Sequence, residues 1–375
     1  MQITAAVIRE PGGPFNLEHL EIEQPLPGEV LVKVAATGVC HTDMVMRDRL
    51  LPVPQPVVLG HEGAGTVLAI GAGVTKVKPG DAVVMSFNSC GHCPSCSDAA
   101  PAYCHEFFPR NFFGARGDGS SGLSRDGEMI HANIFGQSSF ATHALCHQRN
   151  VVKVPADVPL ALLGPLGCGV LTGAGTVLNA LKVRAGSSVA VMGVGTVGLS
   201  AIMAAKVAGA ARIIAIDPVA SRLDLASELG ATHVIDPRGG GNLAEKVMGL
   251  TGGVGVDYAI DTSARSEVIR QGLMMLAPRG ECAVVGAVTF GQDIPVDGGH
   301  LLSGGRRLRG VVEGDADPEQ FVPQLVALYR DGKLPFDRFV RFFPFSAINE
   351  AVAESEAGRV IKPILLMPGT EVPNP

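Results

Sequence analysis

The chain has 375 residues, 46% hydrophobic and 18% charged, a length and balance that predict two domains with substantial cores. Its 30 lysines and arginines against 36 acidic residues give a formal charge of −6 with no basic block, which argues against nucleic acid or an anionic membrane as partner. Tryptophan is absent and glycine reaches 48, favouring tight turns and strand-to-helix connections over a helical bundle.

At the start, MQITAAVIREPGG carries Arg9 and Glu10 where a secretory leader needs its apolar core. No stretch reaches the roughly 18 consecutive apolar residues of a membrane span. A cytoplasmic location is expected, and with it reduced thiols, so clustered cysteines read as metal ligands before disulfides.

Across roughly the first 150 residues short β-like runs (EVLVKVAATGV, GTVLAIG, DAVVMSF) alternate with proline and glycine, predicting a mainly β domain with long loops. GVCHTDMV, at 38–45, holds Cys40 beside His41, a pair that by itself reads as a buried thiol next to a surface imidazole. His61 follows in LGHEGAG and Cys168 in LGCGVLTG. Two thiolates and one imidazole would hold a catalytic zinc with a position open for oxygen, although a glycine-flanked His or Cys can equally be a packed core residue. The spacing Cys90-x2-Cys93-x2-Cys96-x7-Cys104, in a lobe near residues 86–110, is more specific. Four thiolates suit tetrahedral zinc and leave no position for chemistry, so this cluster reads as structural. A redox Cys-x2-Cys pair is the poorer alternative, since it gives the other two thiols no role.

From Leu171 the rhythm changes. SSVAVMG, ARIIAID, THVID, VDYAID and ECAVVGA alternate with helical stretches, predicting a parallel sheet with crossover helices. SRLDLASELGA shows a helical face of Leu223, Ala226 and Leu229 closed by Gly230. Gly193-Val-Gly195-Thr-Val-Gly198 follows a strand and opens a helix. Gly193 permits the turn, Gly195 lets a pyrophosphate approach the backbone, and Gly198 allows helix-to-strand packing. Asp217, at the end of the next strand, can accept from both adenosine ribose hydroxyls and would repel a 2′-phosphate, which favours NAD over NADP, and Pro218 supplies no cation to reverse that. Beyond Val312 come an amphipathic helix (EQFVPQLVALYRDGKL), an aromatic turn (FVRFFPF), a second helix and a strand (VIKPILLM). These do not continue the sheet rhythm and are expected to rejoin the first domain.

GVCHTD, GHEGAG, the four-cysteine loop, GCGVLTGAG, GVGTVG and the acidic residue after the second strand occur in the same order as in the zinc-dependent medium-chain alcohol dehydrogenases. The chain resembles that family over essentially its whole length. The resemblance implies an α/β protein in which a GroES-like β-rich catalytic domain, residues 1–170 and 313–375, holds an inserted Rossmann domain, residues 171–312, with a doubly wound parallel sheet. It implies two zinc ions per chain and NAD. Cys40, His61 and Cys168 would bind the catalytic zinc, with Asp43 and Glu62 behind them and Asp43 orienting the His61 imidazole. Thr42 is suited to hydrogen-bond the alcohol oxygen and relay its proton. Thr172 and Val197 match positions at the nicotinamide, Arg222 one near the adenosine ribose, and His41 and Lys362 positions that contact the pyrophosphate; Gly286 is placed in the same coenzyme set. One position departs from the family pattern: Val45 stands where many relatives carry a proton-relaying histidine.

FGQSSFATHA and LGCGVLTGAGTVLN look most like bacterial aryl (benzyl) alcohol and geraniol dehydrogenases. Leu51, Phe87, Ile134, Phe135 and Val312 would then line an apolar pocket. The implied activity is reversible oxidation of a primary alcohol, benzylic or allylic, to its aldehyde with hydride transfer to NAD. Alternatives are an S-(hydroxymethyl)glutathione or general aliphatic alcohol dehydrogenase, and a non-catalytic NAD- and zinc-binding relative. Relatives form homodimers or homotetramers, commonly through an edge strand, for which RRLRGVVEG is the candidate.

Overall fold

In a computed structural model of the chain, residues 1–373 are described, and contacts divide them into two compact units. The first comprises Met1–Gly169, Asp317–Arg330 and the segment from Phe336 onward; the second comprises Val170–Ala316 and Asp331–Pro335. Among the described residues no helix is long and apolar enough to cross a membrane.

The first unit is built on a seven-stranded and a five-stranded sheet. Strand Glu29–Gly38 is the axis of the larger one, paired on both edges and buried along most of its length. On one edge it runs antiparallel to Glu62–Ile70, with Gly38 opposite Glu62. On the other it meets Lys362–Leu366, with Gly38 opposite Ile364. This register brings three distant segments to one point, next to Cys40. A Cβ at Gly38 would collide with the Glu62 carboxylate, so the close approach requires glycine.

The helices Pro318–Arg330 and Ile348–Glu356 form where the patterns place them, and strand Lys362–Leu366 closes the sheet. FVRFFPF is not a turn. Val340–Pro344 is a strand parallel to Lys362–Leu366, with Phe343 buried and Arg341 and Pro344 exposed. Consecutive aromatic residues hide its alternation in the sequence, and the strand's position at the sheet edge tolerates the proline.

The second unit is a six-stranded parallel sheet. Its strands run in the order His233–Ile235, Arg212–Ile216, Ser188–Met192, Val256–Asp261, Leu276–Val284, Arg307–Gly310. Ser188–Met192 is buried at every residue, as expected of a strand covered on both faces. Helix Ala220–Leu229 buries Leu223, Ala226 and Leu229 and ends at Gly230, whose φ of 130° a side chain would strain. Strand Arg307–Gly310, from the RRLRGVVEG run, forms one edge.

Candidate active site and metal centres

Cys40 follows the axial strand and caps helix His41–Arg47. Its backbone N–H donates to Asp43 Oδ2 at 3.0 Å, the contact by which a residue in the first turn fixes a helix start. Asp43 Oδ1 accepts from the Gly60 N–H at 3.1 Å and lies 2.9 Å from His61 Nδ1. With its Nδ1 proton shared with a carboxylate, the imidazole presents Nε2 as a lone-pair donor. That Nε2 is buried and has no hydrogen-bond partner. An orphaned buried acceptor is costly unless a ligand completes it.

Cys40, His61 and Cys168 bring their donor atoms within 4.8 Å of one another. Two sulfurs and an imidazole nitrogen fit zinc and leave a fourth position for an oxygen ligand. The Cys40 thiol is held well below its ordinary range, chiefly by its hydrogen bond with Cys168, with burial opposing and His61 assisting. The thiolate is the metal-binding form. Thr42 Oγ1 lies 3.8 Å from Cys40 Sγ, at the rim of the donor set.

Glu62 reaches the same centre from behind. Its Oε1 accepts from the Gly169 N–H at 3.1 Å, and its Oε2 accepts from Lys362 Nζ at 2.7 Å. Lys362 Nζ also donates to Val39 O at 2.9 Å. Val39 and Gly169 adjoin the ligands Cys40 and Cys168, so the pair ties both sulfur-bearing segments together. Lys362, expected at a pyrophosphate, has its ammonium bonded here to Glu62 and to the Val39 carbonyl. Burial pushes the Glu62 carboxyl up while Lys362 draws it back. Burial works against the Lys362 charge, yet Glu62 and Cys40 hold its pKa above the ordinary value.

Cys90, Cys93, Cys96 and Cys104 also converge, with every sulfur within 4.8 Å of the others. Backbone N–H groups point at them: Cys93 N–H at Cys90 Sγ (3.3 Å), Cys90 N–H at Cys104 Sγ (3.2 Å) and Glu106 N–H at Cys104 Sγ (3.4 Å). The N–H groups of His105 and Cys96 bring the Cys93 thiol down to about 6. A closed set of four sulfurs so solvated fits a structural zinc.

Helix Phe107–Phe112 leaves this lobe and is hung on Asn88 through Asn111, which accepts from the Asn88 N–H at 2.8 Å and donates to its carbonyl at 3.0 Å. Aromatic rings then run inward. Phe107 lies 5.7 Å from Phe87, Phe112 meets Phe135 edge-on at 5.1 Å, and Phe135 stacks on His61 at 4.4 Å with an interplanar angle of 21°. Of the expected pocket residues, Phe87 and Phe135 are in this aromatic group, Leu51 is half-buried, and Ile134 has no exposed surface. Val312 belongs to the second unit, where it is 38% exposed. Sequence reasoning missed Phe107 and Phe112; the signal was the FFPRNFF run just after the last zinc-lobe cysteine.

In the second unit, Gly193 adopts φ 86° against Thr262, and a Cβ at Gly195 would meet nothing within 4 Å. A Cβ at Gly198 would strike the Gly193 carbonyl. Turn, open backbone and close packing are thus distributed as a dinucleotide loop requires, ahead of helix Thr196–Val207. Asp217 accepts from the Val194 N–H at 2.9 Å and the Val219 N–H at 2.8 Å, which fixes its carboxylate beside that loop. A cation does stand near it: Arg222 Nη1 is 3.9 Å from Asp217 Oδ2, and Arg222 Nε is buried with no hydrogen-bond partner. Gly286 follows strand Leu276–Val284, its N–H on Asp261 O at 3.1 Å. Thr172 lies on helix Gly169–Gly175, and His41 is the exposed first residue of its own helix.

Residues 26–156 match the alcohol dehydrogenase GroES-like domain, and residues 196–329 match the zinc-binding dehydrogenase family. A geraniol dehydrogenase from Castellaniella defragrans is 47% identical over 363 residues, covering 96% of this chain and 97% of that one. Among solved structures, an alcohol dehydrogenase zinc-binding domain protein from Burkholderia ambifaria has a TM-score of 0.96 at 50% identity. A benzyl alcohol dehydrogenase from Acinetobacter calcoaceticus has a TM-score of 0.95 at 48% identity. Each alignment covers 98% of this chain and 99% of the other. Identity of this order, over nearly the full length in both directions, exceeds a shared fold, and the chain belongs to the zinc-dependent medium-chain alcohol dehydrogenases.

Proposed function

We propose that this alcohol dehydrogenase oxidises a benzylic or allylic primary alcohol to its aldehyde, reversibly, with NAD in preference to NADP. The observation that carries the substrate reading is the aromatic group ending in Phe135 on His61. A planar unsaturated substrate gains ring contacts beside the reacting carbon there, whereas a short aliphatic alcohol leaves them unused. The relatives named for geraniol and benzyl alcohol support the same class.

Zinc, when bound, lowers the pKa of an alcohol oxygen and offsets its charge, and NAD accepts the hydride. The chain's own residues do the rest. Asp43 holds the proton on His61 Nδ1, so Nε2 stays a donor. The Thr42 hydroxyl accepts the alcohol proton and passes it on. Phe135 keeps water from the imidazole face. Thr172 and Val197 hold the nicotinamide end of the coenzyme, while Asp217 binds the adenosine ribose. A cytoplasmic setting and assembly as a homodimer or homotetramer belong to the same reading.

Comparing kcat/KM for benzyl alcohol, geraniol and ethanol, each with NAD and with NADP, tests it. Benzyl alcohol or geraniol with NAD is expected to be the best pair; preference for ethanol rejects the substrate class, and preference for NADP rejects the coenzyme.

A further inference from the structure

Edge strand Arg307–Gly310 runs at its carboxyl end into a turn of unusual backbone. Glu313, Gly314 and Asp315 have φ of 48°, 64° and 51°, three successive left-handed residues of which only the glycine adopts that region freely. Such conformations persist where the surroundings over-determine them, and they concentrate at functional sites. A Cβ at Gly314 would lie 2.7 Å from Leu171 O and 2.9 Å from Thr172 O, so the turn is pressed against helix Gly169–Gly175. Arg309 donates to Ala180 O at 2.8 Å and pairs with Asp315, clamping the turn's far side.

The clamp delivers one side chain. Glu313 accepts a hydrogen bond from Thr172 Oγ1 at 3.3 Å. Thr172 precedes Gly173, where a Cβ would strike the Val197 carbonyl, so this threonine stands against the dinucleotide loop. Loop and turn both lie at the carboxyl ends of the parallel strands, the side on which open α/β sheets bind ligands.

We propose that Glu313 is a positioning residue for the nicotinamide end of the coenzyme, acting through Thr172, and that its carboxylate selects the oxidised form. The nicotinamide ring carries a positive charge in NAD+ and none in NADH, so a fixed carboxylate nearby distinguishes the two. The inference rests on the placement of Thr172 and Val197 at the nicotinamide proposed above.

The test is coenzyme binding to the zinc-loaded enzyme, by calorimetry for NAD+ and by fluorescence for NADH. Glu313→Gln should raise the Kd for NAD+ by roughly five- to tenfold, the effect of a half-buried carboxylate on a cation, and that for NADH by less than about twofold. Glu313→Asp retains the charge and should keep the NAD+/NADH ratio near that of the parent even where overall affinity drops. Equal weakening of both forms by Glu313→Gln, no change in either, or a ratio lost in Glu313→Asp overturns the proposal. If Glu313→Gln does not fold, Glu313→Ser removes the same charge and takes its place with the same expected and overturning outcomes. Thr172→Ala separates the underlying reading: weaker binding of both forms sustains it, and unchanged binding of both removes Thr172 from the nicotinamide end and the proposal with it.

Discussion

Lys362 Nζ lies 2.7 Å from Glu62 Oε2, an ion pair between residues 300 apart in the chain whose side chains are 2% and 0% exposed. Two other bonds complete it: Lys362 to Val39 O and Glu62 to the Gly169 N–H. The pair therefore acts as a strut between the segments that carry Cys40 and Cys168.

Breaking such a pair on one side leaves a buried charge uncompensated. Lys362→Met should cost about 3–5 kcal/mol of stability, whereas Lys362→Met with Glu62→Gln should recover most of it, because no ion then remains buried. Urea unfolding of the parent, the single variant and the double variant measures this. Equal losses in single and double variants would show that packing, not charge, dominates the site.

Asp43 makes three contacts with its two oxygens: the Cys40 N–H, the Gly60 N–H and His61 Nδ1. Asp43→Ala frees the imidazole to rotate and unpins the start of the helix that carries Cys40. Affinity for the catalytic zinc should fall roughly 10- to 100-fold, as for other carboxylates behind a metal-bound histidine. The four-sulfur centre is a separate cluster and should keep its ion. Dialysis against a moderate chelator followed by metal analysis should therefore give one zinc per chain in the variant and two in the parent.

Metal-donor types and the glycine loop were legible because chemistry restricts them: few residue types bind zinc, and only glycine fits the backbone approaches at Gly193 and Gly198. Helix Ala220–Leu229 was legible because its stripe and its terminating Gly230 are local. Lys362 was not. Its partner follows from the register of strands Glu29–Gly38, Glu62–Ile70 and Lys362–Leu366, which no local window contains. The stacking of Phe135 on His61 was equally hidden, since Phe135 has φ 50°, a conformation its own sequence does not announce. The same holds for the left-handed Glu313 and Asp315, imposed by contacts with a helix well over a hundred residues earlier.

Asp217 does two jobs that one substitution separates poorly but measurably. It faces the expected ribose position and also anchors the loop through the Val194 N–H. Asp217→Ser should raise the KM for NAD by roughly tenfold, the cost of a lost charged acceptor and a loosened loop. It should also make NADP usable, because the repelling carboxylate is gone while Arg222 remains within reach of the same spot. The ratio of kcat/KM for NAD to that for NADP is the readout. A drop with both coenzymes and an unchanged ratio would mean that Asp217 is only a loop anchor.

Val45 sits half-buried on helix His41–Arg47, three residues after Thr42 and four after His41, the spacings that share a helix face. It cannot carry a proton, so a proton accepted by Thr42 must leave through water or through His41. An imidazole placed there by Val45→His would lie on the face of both. It accepts a proton only when neutral, above a pKa of roughly 6.5 for an unperturbed histidine. Alcohol oxidation by the variant should accordingly rise relative to the parent above that pH and lose its advantage below it. Zinc content should stay at two per chain, since Val45 is not among the residues whose donor atoms form either metal group. His41→Gln completes the comparison: if His41 carries the proton in the parent, His41→Gln slows oxidation and the added Val45→His restores it. Superimposable pH profiles for the parent and Val45→His would make Val45 a packing residue and leave water as the exit.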